Sequence, residues 1–65
     1  MTQYKIVAAI NDNIRILRGD EGVYIIEEFI PGEDFWSKWI TAEFSKFWMA
    51  LSEVSKELCY RENRV

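Results

Sequence analysis

A chain of 65 residues with eleven Asp and Glu against eight Lys and Arg, no histidine and one cysteine has room for one domain and few ways to be stapled together. Cys59 alone closes no intramolecular disulfide, and without histidine or a cysteine cluster a structural zinc site has no ligand set. The net charge of −3 gives little electrostatic footing on phosphate backbones, and no run reaches the roughly 18 apolar residues of a membrane-spanning helix.

A domain this small buries only about 60% of its extended-chain surface on folding. Three Trp, four Phe and three Tyr supply large side chains to compensate. At the N-terminus, Lys5 is followed by only a short apolar run, Ile6–Ile10, before Asn11–Asp12–Asn13, which is not the pattern of a signal peptide. The expected location is cytoplasmic.

In chain order, residues 4–10 are rich in β-branched side chains and end at Asn11–Asp12–Asn13, a triplet suited to a hairpin turn because Asn and Asp bond to their own backbone. Residues 14–18 resume as a second strand, and Gly19–Asp20–Glu21–Gly22 supplies the next turn. Residues 23–30 form the third and longest strand. Period-two alternation sets Tyr4, Ile6, Ala8 and Ile10 on one face of the first strand, and Ile14 and Ile16 opposite Arg15 and Leu17 in the second. In the third it sets Val23, Ile25, Glu27 and Phe29 opposite Tyr24, Ile26, Glu28 and Ile30. Neither face is cleanly polar, so either the side away from the core carries scattered apolar residues or a second molecule covers part of it.

Pro31–Gly32 ends the third strand. From Glu33 to Tyr60, Trp36, Ile40, Phe44, Phe47, Leu51, Val54 and Leu58 recur at three- and four-residue spacing and predict one amphipathic helix, with Ala42 inside it and Gly32 or Asp34 as its cap. Asp34 with Lys38 and Glu57 with Arg61 stand at the i,i+4 spacing of supporting ion pairs, and the tail from Arg61 to Arg64 is expected to fray. The predicted fold class is α+β, a single domain with a three-stranded antiparallel meander followed by one long C-terminal helix.

A straight helix over residues 33–60 would run roughly 42 Å, against roughly 26 Å for the longest strand. Its far end, Leu51, Val54 and Leu58, would overhang the sheet. A break near Ile40–Thr41 or a neighbouring molecule resolves this, and a homodimer through the C-terminal helix is the expected neighbour.

The candidate protein interface is Phe35, Trp39, Trp48, Met49, Leu51, Val54, Leu58 and Tyr60, because aromatic and methionine side chains are enriched where proteins meet. Glu27, Glu28, Glu33 and Asp34 form an acidic rim suited to a basic partner. Adjacent strand residues face opposite ways, so Glu27 and Glu28 cannot act as a catalytic or metal-binding pair. Cys59, on the flank of the helical stripe, has no histidine to activate it and is expected to be a partly buried, inert thiol.

No catalytic residues, cofactor or metal are predicted. The expected role is non-enzymatic binding of a larger protein by a small homodimeric regulator or inhibitor. The alternative is a nucleic-acid-binding sheet face presenting Arg15, Arg18 and Tyr24.

Overall fold

The computed structural model describes residues 2–41 and 43–64; Ala42, placed above within the helix, lies outside them. Four strands, β1 (Tyr4–Ala9), β2 (Ile14–Gly19), β3 (Tyr24–Ile30) and β4 (Phe35–Lys38), precede a single helix, α1 (Phe47–Asn63). The strands form an antiparallel sheet in the order β1-β2-β3-β4. The α+β class is as expected, with one more strand and a shorter helix.

The turns follow their chemistry. Asn11 Oδ1 accepts from the Asn13 amide at 2.8 Å, while Ile10 N–H donates to the Ile14 carbonyl at 2.9 Å. The asparagine side chain thus completes the first turn. In the third, Gly32 has φ 96° and Asp34 φ 59°, left-handed angles open to glycine and tolerated by Asp.

That third turn overturns the predicted start of the helix. Pro31–Gly32–Glu33–Asp34 is a hairpin, and the chain beyond it pairs Phe35 with Ile30 and Trp36 with Phe29. Phe35, Trp36, Trp39, Ile40 and Thr41 are aromatic or β-branched, which favours a pleated surface over a helix. Pairing also covers the otherwise open edge of β3. Beyond β4, Trp39 N–H donates to the Ile26 carbonyl at 2.8 Å, and Phe44 returns to bridge Tyr24 with bonds of 2.7 and 3.0 Å. Just beyond Trp39, Ile40 is fully exposed.

The helix begins at Phe47 after Lys46, whose side chain makes no capping bond, and its first turn carries no acidic residue. At 17 residues it is roughly 25 Å long, against roughly 23 Å for β3. No overhang remains, and the reason given above for a dimer falls with it. The helix packs mainly on β3, burying Ala50 and Val54 against Ile14, Ile16 and Ile26, with Phe47, Leu58, Tyr24 and Trp39 at the margin. Fully buried Val54 is therefore a core residue rather than the interface residue predicted, and half-buried Leu58 packs beside it.

Candidate interaction surfaces

Cross-strand partners point to the same side of a sheet, so the register assigns both faces. The ladder Ala8–Ile16–Ile26 and the pair Ile14–Glu28 lie under α1. The ladders Ile6–Leu17–Ile25 and Ala9–Arg15–Glu27–Lys38, with the pair Phe29–Trp36, lie on the other face. A bulge between Ile6 and Ala8 shifts the alternation in β1. Tyr4 and Ile6 consequently face away from the core while Ala8 faces it, contrary to the uninterrupted period-two reading.

No element of the described chain covers this second face. Tyr4 is 38% and Ile6 56% exposed, whereas Leu17 and Ile25, at the centre, keep only 6% and 5%. Both stand outside the helix-side cluster. Arg15 donates through Nε and Nη2 to Glu27 Oε1 at 2.9 and 2.7 Å, and its guanidinium lies 3.8 Å from the Trp36 ring centre. Trp36 tilts against Phe29 with ring centres 5.6 Å apart. The Arg15 and Glu27 charges in the middle of the face are thus paired within the molecule, and Tyr4 and Ile6 on β1 are its exposed large apolar side chains.

The helix side carries a polar clamp. Arg61 donates to both carboxylate oxygens of Glu28, at 2.9 and 3.0 Å, and through Nε to Glu57 at 2.9 Å. The Trp39 indole N–H reaches Glu28 at 3.0 Å, with the Arg61 guanidinium 5.8 Å from the Trp39 ring centre. Hydrogen bonds from Arg61 hold the Glu28 carboxyl below its ordinary range; burial opposes them, and the Trp39 bond adds to them. The same bonds, from Glu28 first and Glu57 second, raise the Arg61 pKa. Arg61 is thus clamped within the helix rather than frayed. The Glu57–Arg61 pair forms as expected, while Lys38 pairs with Glu43 at 3.7 Å rather than with Asp34.

The predicted interface residues are dispersed. Phe35, on β4, and Trp48, Met49, Leu51 and Tyr60, on α1, are exposed. Trp39 belongs to the clamp. The acidic rim is also divided, with Glu27 on the open face, Glu28 under α1, and exposed Glu33 and Asp34 in the last hairpin. Arg15 faces opposite to Arg18 and Tyr24, and the Tyr24 ring packs edge-on against Phe47 at 6.0 Å. Those three residues therefore form no common stacking platform. Cys59 is exposed rather than partly buried.

The open-face ladder was the surface sequence reading missed. Its one readable signal was the opposite charge of Arg15 and Glu27, four residues before Gly19 and five after Gly22. Comparison with protein-family models, with curated proteins and with solved structures finds no match for the chain. Among the described residues no helix is long and apolar enough to cross a membrane.

Proposed function

We propose that this protein is a non-enzymatic binding module whose open sheet face docks on a larger protein, acting by stoichiometric occupancy as a small regulator or inhibitor does. One observation supports this above the others: a four-stranded sheet with a helix on one side carries exposed Tyr4 and Ile6 and half-buried Phe29 and Trp36 on the side with no covering layer. A single domain ordinarily buries such a face against a second layer. Here the chain supplies none from its described residues, and Arg15 is already spent on Glu27 and Trp36.

A photo-crosslinking side chain at Ile6, compared with one at Lys56 on the exposed side of α1, tests the reading in a lysate of the source organism. The Ile6 position should give a one-to-one adduct that the Lys56 position does not. Equal adducts from both would contradict it.

A second reading, self-association through α1, rests on Trp48, which is 67% exposed beside Leu51. Sedimentation of the wild type and Trp48→Ala tests it. A dimer lost in the variant supports a homodimer through the helix, and a monomeric wild type at high micromolar concentration opposes it.

A further inference from the structure

We infer that the occupant of the open sheet face is an amphipathic helix from another protein, with Lys or Arg at both ends of its apolar strip. The inference rests on the reading of this face as a docking surface and adds the chemistry of what docks. It follows from the charges that bound the face. Antiparallel topology puts the β1–β2 and β3–β4 turns at one end of the sheet and the β2–β3 turn at the other. Asp12, Glu33 and Asp34 occupy the first end, and Asp20 and Glu21 the second; all are exposed, and none is ion-paired among the described residues.

The cations nearby do not offset these ends on the open face. Lys5 and Arg18 are cross-strand partners in the row that includes Tyr24, which faces α1. On the open side, Arg15 is held by Glu27, and Lys38 lies on β4 near Glu43. The face therefore carries exposed Tyr4 and Ile6 on β1, half-buried Phe29 and Trp36 on β3 and β4, and exposed carboxylates in the turns at both ends.

Size and charge select the occupant. Four strands about 4.8 Å apart and about 20 Å long present roughly 400 Å², near half of the roughly 800 Å² each partner contributes to a standard interface. That area suits one helix better than a second folded sheet. A second copy would also set acidic turns against acidic turns, because both ends of the face carry the same sign whichever way the two-fold axis runs. A helix of about 15 residues spans roughly 23 Å, the length of β3, so cations at its two ends would reach the two acidic ends together.

The test uses three synthetic helical peptides of about 15 residues with one Leu and Ile strip and paired Lys, Gln or Glu at both ends, titrated by fluorescence anisotropy. The Lys-ended peptide should bind about tenfold tighter than the Gln-ended one at low salt, with the advantage shrinking as salt rises. The Glu-ended peptide should be weakest. Ile6→Asp should abolish binding of all three. The combined variant Asp20→Asn, Glu21→Gln, Glu33→Gln and Asp34→Asn should erase the Lys preference while keeping affinity for the Gln-ended peptide. All these sites are exposed, and circular dichroism verifies the fold of each variant.

Equal affinity for Lys and Glu ends overturns the inference but leaves the docking reading intact if Ile6→Asp still abolishes binding. Binding that is indifferent to Ile6→Asp overturns both. The absence of binding by every peptide overturns the inference alone, whereas a dimer of the free chain that Ile6→Asp dissolves overturns both.

Discussion

Replacing Arg61 with Met should detach the C-terminal half of α1 from β3, and the structure sets the size of the effect. The bidentate bond to Glu28 joins an Arg61 side chain 41% exposed to a Glu28 side chain 24% exposed. Solvent screens such a pair, so it contributes about 1 kcal/mol, the upper end of the surface range. The Glu57 pair, at i,i+4, adds about 0.3–0.5 kcal/mol. Arg61→Met should therefore cost about 1.5 kcal/mol in urea unfolding at neutral pH. A double-mutant cycle with Glu28→Gln should assign about 1 kcal/mol of that to the Arg61–Glu28 coupling.

The sign of the pH dependence follows from Glu28. Its carboxyl titrates lower in the folded chain than in the unfolded one, so the unfolded state takes up the proton first as pH falls. The coupling is fully present above the ordinary Glu pKa and is lost as pH drops through the lowered folded value. A coupling near zero at neutral pH, or one unchanged at about pH 2, would refute the clamp as a stabilising element.

Lys46 caps α1 without a side-chain bond and ahead of a turn lacking acidic residues; Lys46→Asp should raise stability by about 1 kcal/mol in the same urea assay. Ile16→Ala empties a fully buried site in the cluster under α1 and should cost about 2–5 kcal/mol, whereas Ile6→Asp on the open face should leave the urea midpoint nearly unchanged. A Cβ added to Gly19 would stand 3.0 Å from both the Thr2 methyl and the Tyr4 ring. Gly19→Ala should therefore lower the thermal midpoint, with Tyr4→Ala in the same chain recovering part of the loss.

Strands β1 to β3 were readable because β-branched runs stopped at Asn, Asp and Gly clusters whose side-chain and backbone geometry closes hairpins. The second half of the predicted helix was readable because Phe47, Val54 and Leu58 keep helical spacing with Ala50 between them. Residues 33–46 misled because Trp36, Ile40 and Phe44 stand four apart, while Phe35, Ser37 and Trp39 alternate in the same window. Short apolar runs satisfy both periods. The unpaired edge of β3, invisible to local pattern, decided for the strand. Glu28 and Arg61 are 33 positions apart, so no window could have joined them, and the bulge in β1 hid the apolar continuity of Tyr4, Ile6 and Leu17.

The three tryptophans divide the surface among them: Trp36 on the open face, Trp39 in the clamp, and Trp48 on the exposed side of α1. Nuclear magnetic resonance of the labelled chain during titration with the Lys-ended peptide therefore reads out the contact through three indole signals. The Trp36 indole, together with the amides of Ile6, Leu17 and Ile25, should shift while Trp39 and Trp48 stay in place. Movement of Trp48 with a motionless Trp36 would contradict the assignment of binding to the uncovered side of the sheet.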